Sequence, residues 1–177
     1  VLITGVTGAG KTTTLAGLVE QLNQLGHRRI VTIEEPIEYL FEPKANSVIT
    51  QREVGLDVAS FADGLRSALR QDPDVILCGE VRDIETARMA ISAAETGHLV
   101  MSTVHTQDAK GAITRLIDIF PAERQQDIRG QLALSLRIVV SQHLLPSITP
   151  GTKRALAMEI LVANDAARAV IRLNKIE

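Results

Sequence analysis

The chain has 177 residues, 45% of them hydrophobic, and carries a net charge of −2 from 19 basic and 21 acidic side chains. That length and apolar content suffice for one full core and leave little room for a second domain. Dispersed basic residues with three Phe, one Tyr and no Trp make a weak nucleic-acid signal, and a lone cysteine excludes a disulfide framework.

The cytosol is the natural compartment for such cysteine usage. No apolar run approaches the roughly 18 residues of a membrane span, and nothing resembles a signal peptide. The chain opens inside an apolar strand without a Met, so we expect a single domain over 1–177 cut from a longer protein, with an N-terminal domain and a C-terminal tail absent.

Val1-Leu-Ile-Thr4 reads as a buried strand, and Gly5-Val-Thr-Gly-Ala-Gly-Lys-Thr12 fits the phosphate-loop pattern G-x-x-x-x-G-K-[ST] at every fixed position. A polyphosphate needs several donors aimed at one point, and only a loop with little side-chain bulk lets backbone N–H groups come that close. Gly5, Thr7, Gly8, Ala9, Gly10, Lys11, Thr12 and Thr13 are the candidate nucleotide-binding residues. The helix that begins near Lys11 turns its unpaired N–H groups and positive dipole end toward the β-phosphate. Lys11 supplies a mobile charge for the β/γ oxygens of ATP, and the Thr12 hydroxyl is a candidate Mg2+ ligand.

Leu15, Leu18, Val19, Leu22 and Leu25 recur at helical spacing up to Gly26. Ile30–Ile33 is predicted as a buried strand, with Glu34-Glu-Pro-Ile-Glu38 at its C-terminal end. Ser47–Thr50 is a short strand or edge segment, and Ser60 caps a helix through Leu69 that ends at Asp72-Pro73. Val75–Cys78 is a second buried strand, from which Gly79-Glu-Val-Arg-Asp83 hangs; Cys78 reads as a small buried hydrophobe. Ile84–Thr96 is a helix stopped by Gly97, and Leu99–Thr103 another strand. Two helices, over Ala109–Ile119 and from Glu123 to about Leu145, are separated by Pro121. A turn-rich Pro146–Gly151 precedes a last strand, Arg154–Leu161, and a helix capped by Asn164 or Asp165. Alternating strands and helices predict an α/β fold, a mostly parallel sheet with helices on both faces.

Three clusters fall after strand ends, where open α/β sheets place their ligands. Glu38 is the candidate that positions and deprotonates the attacking water, with Glu34 and Glu35 as rivals; such an acidic run also reads as a solvated loop. Glu80 ends an apolar run as the acid of a Walker B strand does, but Gly79 occupies the usual Asp position, so Glu80 is expected to reach Mg2+ through a water. Arg82, Arg66 and Arg70 are candidates for stabilising transition-state charge; Arg66 and Arg70 are equally well explained by pairing with Asp63 and Asp74. His98 and His105 bracket a strand, and His105 is placed to contact the γ-phosphate or Glu80. Scattered histidines and one cysteine give no zinc spacing.

Gly5-Val-Thr-Gly-Ala-Gly-Lys-Thr-Thr13, Ile33-Glu-Glu-Pro-Ile-Glu38, Leu65–Leu77, Gly79-Glu-Val-Arg-Asp83, Ala94-Glu-Thr-Gly-His98 and Thr103-Val-His-Thr106 resemble, in order and spacing, the Walker A, Asp-box, Walker B and His-box blocks of the secretion ATPases of type II secretion and type IV pili. The resemblance implies a RecA-like P-loop NTPase domain from a hexameric ring. It implies ATP and Mg2+ as cofactors, Glu38 as the catalytic glutamate, and work at the cytoplasmic face of the inner membrane against a pilus platform protein. The chain looks most like the twitching-motility, pilus-retraction branch. Only Pro146–Lys153 follows Ser141-Gln-His-Leu-Leu145, where assembly and type II secretion members commonly insert a four-cysteine zinc module. Ala166-Ala-Arg-Ala-Val-Ile-Arg172 is similar to the branch's Ala-Ile-Arg-Asn-Leu-Ile-Arg motif at Ala166, Arg168, Ile171 and Arg172. Glu35 stands where the family usually has Asp and keeps the charge.

The expected function is therefore an ATP-hydrolysing motor of pilus retraction. The alternatives are a pilus-assembly, type II secretion or DNA-transfer ATPase of the same fold, or a nucleotide-binding regulatory module with little hydrolysis. Residues 1–177 by themselves are expected to be mostly monomeric and weakly active, because motors of this kind complete the site with residues from elsewhere.

Overall fold

The computed structural model describes residues 1–149, 151 and 153–175. Pro150 of the predicted turn, Thr152 just after it, and the last two positions of the predicted domain lie outside the described residues. The chain divides into two compact units, one of Val1 with Thr12–Thr103 and the other of Leu2–Lys11 with Val104–Glu177.

Helix α1 (Lys11–Leu25) passes from the second unit into the first. The first unit then takes β2 (Arg29–Glu34), β3 (Val48–Glu53), α2 (Phe61–Ala68), β4 (Val75–Glu80), α3 (Ile84–Glu95) and β5 (Leu99–Val104, its last residue in the other unit). Its strands pair in the order β3-β2-β4-β5, all parallel. Ile30, Val31 and Ile33 of β2 and Val75 to Cys78 of β4 are buried, which is what strands covered on both sides require. Ser60 and Asp83 cap α2 and α3, accepting from the amides of Asp63 and Thr86. Gly26 (φ 81°) ends α1 in the left-handed conformation that glycine adopts without steric cost. A Cβ on Gly64 would lie 2.8 Å from the Ile33 side chain, so α2 can settle onto β2 only with glycine there.

The apolar spacing of α1 is only partly used. Leu15 and Val19 are buried, but Leu18 and Leu25 are 38% and 75% exposed, while Asn23 is fully buried. Asn23 donates from Nδ2 to the Glu42 carbonyl (2.8 Å), accepts from the Lys44 amide (2.8 Å), and its carbonyl accepts from Ser47 Oγ (3.3 Å). A buried amide with its partners satisfied has displaced leucine as the residue that docks this end of the helix.

The second unit holds β1 (Leu2–Thr4), α4 (Ala109–Asp118), α5 (Ala122–Ser135), β6 (Ile138–Pro146), β7 (Arg154–Val162) and α6 (Asp165–Arg172, capped by Asn164). β6 runs parallel to β1, with Thr4 opposite Ser141, and antiparallel to β7. The helix predicted from Glu123 to about Leu145 is corrected here. It stops at Ser135, and residues 138–146 form a strand. Ile138-Val-Val140 is β-branched, and pairing on both sides of β6 satisfies the backbone that a continued helix would have left in its own ladder. No helix among the described residues is long and apolar enough to cross a membrane.

Candidate functional site: a phosphate loop and its carboxylates

The short buried strand β1 delivers the chain to Gly5, whose φ of 146° and close approach to β6 both demand glycine. A Cβ there would lie 2.5 Å from the Gln142 carbonyl oxygen. Gly8 (φ 80°) and Gly10 (φ 89°) are glycine for conformation alone, since a Cβ at either would meet nothing within 4 Å. Ala9 is buried and its amide donates to the Val6 carbonyl at 3.1 Å, closing the loop. Thr7 is exposed, Thr12 half-buried and Thr13 exposed.

The Lys11 ammonium is folded back over this loop, donating to the Gly5 carbonyl at 2.8 Å and the Val6 carbonyl at 3.2 Å. Lys11 is buried, and burial lowers its pKa from the ordinary 10.5. Carbonyls solvate the ammonium without neutralising it, so an arriving phosphate gains a poorly hydrated cation.

His105 Nδ1 lies 3.5 Å from Lys11 Nζ. An ammonium has only protons to give, so in this contact Nδ1 is the accepting nitrogen. The position of His105 is fixed by its neighbours in the same unit. The Thr4 hydroxyl, fully buried at the end of β1, accepts from the Thr106 amide at 2.9 Å and lies 2.7 Å from the Thr106 carbonyl and 2.6 Å from its hydroxyl. One residue on, the Gln107 carbonyl accepts from Ser141 Oγ (2.8 Å) and His143 Nε2 (2.9 Å).

In the first unit β4 runs through Glu80, two residues past the predicted strand. The β4–β5 register shifts between Cys78 and Glu80, a bulge centred on Gly79. A Cβ on Gly79 would meet the Ile33 carbonyl and the Phe61 ring at 3.3 Å, and the Gly79 carbonyl accepts from Thr103 Oγ1 at 2.7 Å. Close packing thus explains glycine where an Asp was expected. Glu80 is buried and ion-paired with Arg82, whose other nitrogen lies 3.5 Å from Glu35. Cys78 is buried, as the sequence suggested, and burial pushes its thiol pKa up to about 12.

Glu38 is exposed on the segment following β2. That segment is strung on side chains: Glu53 accepts from the Ile37 amide (3.0 Å), Gln51 donates to the Tyr39 carbonyl (2.8 Å) and accepts from the Phe41 amide (2.9 Å). Glu34, the rival acid, is buried and accepts from Thr32 Oγ1 at 2.6 Å, a structural engagement. Arg66 pairs with Asp63 (2.6 Å) and with Glu85, the surface explanation held open for it. Arg70 is exposed. His98 Nδ1 lies 3.0 Å from the Ala93 carbonyl and 3.1 Å from Thr96 Oγ1, closing the end of α3.

Lys11 and His105 are thus brought together in one unit, and Glu80, Arg82 and Glu35 in the other. Sequence reasoning missed Thr4 and Tyr39. Thr4 offered the signal of standing directly before the first loop glycine; Tyr39, whose hydroxyl lies 2.9 Å from Thr13 Oγ1, offered only its place beside Glu38. Among the described residues no group of three His, Cys, Asp or Glu side chains forms a metal cage.

Residues 1–176 match the family model described as Type II/IV secretion system protein. The chain is 49% identical over 176 residues to a Pseudomonas aeruginosa protein named type IV pilus retractation ATPase PilT, covering 99% of this chain and 50% of that protein. It is likewise 49% identical to a Neisseria gonorrhoeae twitching motility protein, covering 99% of this chain and 46% of the relative. A crystal structure of the pilus retraction motor PilT with bound ADP superposes with a TM-score of 0.94 at 52% identity, over 99% of this chain and 50% of that one. The chain therefore spans about half the length of the curated relatives it matches. The fold is the α/β, RecA-like fold of that motor, and the chain belongs to the Type II/IV secretion system protein family.

Proposed function

We propose that this chain is the ATP-hydrolysing part of a hexameric motor that powers type IV pilus retraction. The observation that carries the reading is the Lys11 ammonium, held on its own loop carbonyls beside His105. A phosphate-binding cation and a candidate γ-phosphate contact share one small space. The names of two relatives that match over 99% of the chain support retraction over the assembly and secretion alternatives.

Amides of the loop from Gly5 to Thr13 and the start of α1 receive the phosphates, and Lys11 leaves its carbonyls for the β/γ oxygens. Glu38 takes a proton from the attacking water as its oxygen bonds to the γ-phosphorus; the bond from that phosphorus to the β–γ bridging oxygen breaks, giving ADP and phosphate. Arg82 stabilises the charge that develops, and His105 contacts the γ-phosphate. The Thr12 hydroxyl and, through a water, the Glu80 carboxylate are hard oxygen donors of the kind Mg2+ takes. Bound there, the ion neutralises phosphate charge. The motor works at the cytoplasmic face of the inner membrane against the pilus platform protein.

Two measurements test this. Steady-state hydrolysis at the full length its relatives have should be substantial, whereas a regulatory module would bind ATP and barely turn it over. Deleting the gene should leave cells with pili that extend and do not shorten under the microscope; cells without pili would instead identify an assembly motor.

A further inference from the structure

The structure assigns Tyr39 as a positioning residue that ties the Glu38 segment to the nucleotide-binding helix, so that nucleotide at Thr12 and Thr13 sets where Glu38 stands. The inference rests on the proposed ATPase reading and adds to it the link between binding and the base.

The observation is a hydrogen bond, 2.9 Å long, between Tyr39 Oη and Thr13 Oγ1 across 26 positions of sequence. Thr13 lies in the first turn of α1, immediately after the proposed Mg2+ ligand Thr12. Tyr39 lies immediately after Glu38. The three other hydrogen bonds described for residues 37–41 come from β3, by Gln51 on either side of Leu40 and by Glu53 at Ile37. Those three bonds fix the backbone to the sheet edge and say nothing of nucleotide. The Tyr39 hydroxyl is the contact that reaches the phosphate-binding turn. Tyr39 is 40% exposed, so its ring adds little to the core, and the polar tip is what the position uses. A hydroxyl both donates and accepts, so Thr13 can hold Tyr39 whether its own proton points to phosphate or not. When phosphate oxygens draw the Thr13 proton, Thr13 turns acceptor and Tyr39 donor, and the pull reaches Glu38 one residue away.

The chain contains one Tyr and no Trp, so its tyrosine emission comes from Tyr39 alone. The experiment titrates ADP with Mg2+ into the 177-residue chain, follows tyrosine emission, and measures binding in parallel by calorimetry. The expected result is a saturable emission change with the calorimetric midpoint. In Thr13→Ala the response is lost, and in Thr13→Ser, which keeps the hydroxyl, it is retained. At the full length of the relatives, Tyr39→Phe should lower kcat about threefold to tenfold, the weight of one net hydrogen bond, with KM and ADP affinity unchanged. Binding by calorimetry without an emission change, or a Tyr39→Phe protein with wild-type kcat, overturns the link and leaves the ATPase reading standing. Absence of ADP binding at the full length of the relatives overturns both.

Discussion

Thr4 and Thr106 stand 102 positions apart, and the buried hydroxyl of the first accepts the backbone amide of the second at 2.9 Å while lying 2.6 Å from its hydroxyl. This clasp joins the strand that feeds the phosphate loop to the segment that carries His105, so the two groups expected at the γ-phosphate are positioned by one side chain.

Thr4→Val keeps the shape and removes the hydroxyl, leaving the Thr106 amide without its acceptor. We expect a loss of about 1–3 kcal/mol in chemical denaturation, with Thr4→Ser losing less than half of that. The His105 imidazole NMR signals should shift in Thr4→Val and not in Thr4→Ser. Equal stability with unmoved His105 signals would remove the clasp from the account.

Gly5 and Gly10 both have positive φ, but only Gly5 is crowded. Gly10→Ala meets no atom and should cost about 1–2 kcal/mol from backbone conformation alone. Gly5→Ala drives a Cβ against the Gln142 carbonyl and should cost at least 1–2 kcal/mol more, because a paired strand backbone cannot yield as a side chain does. Paired denaturation curves of the two variants measure the difference directly.

Much of this was legible beforehand. The phosphate loop was visible because it is read by identity at fixed spacing. The acids after β2 and β4 were visible because buried runs end where polar residues begin. Three features were not. The Gly79 bulge depends on how closely Phe61 and Ile33 approach, a packing fact with no local signature. Residues 138–146 became a strand because β1 and β7 pair with them, partners that lie far away in sequence. The value of Asn23 comes from the Glu42 carbonyl, the Lys44 amide and the Ser47 hydroxyl, groups about twenty positions away with no signal at Asn23 itself.

Burial holds the Cys78 thiol pKa at about 12, above its ordinary 9.0. The folded state thus keeps a proton that the unfolded state loses, so this group's contribution to stability is complete below about pH 9 and falls as pH rises toward 12. Alkylation of Cys78 at pH 8 should track global unfolding, and saturating ADP should slow it. Rapid alkylation of the folded chain would contradict the burial.

For Lys11 the sign is the reverse. Burial lowers its pKa, so between the lowered value and 10.5 the unfolded state holds the extra proton, and the cost of burying the charge fades as pH rises through that window. The Lys11 loop serves ADP. At a hundredfold excess over Kd, ADP should stabilise the chain by about 2.7 kcal/mol, a rise in Tm of about 5–10 °C. Thermal melts of Lys11→Ala should show no such rise.

The proposed role of Glu38 is to activate water at a nucleotide held by the Lys11 loop. The direct test compares ATP hydrolysis and ATP binding by wild type and Glu38→Gln at the full length of the relatives. Binding should stay within about twofold of wild type and hydrolysis should fall by at least about a hundredfold, the range general-base catalysis supplies. Normal hydrolysis by Glu38→Gln would contradict it.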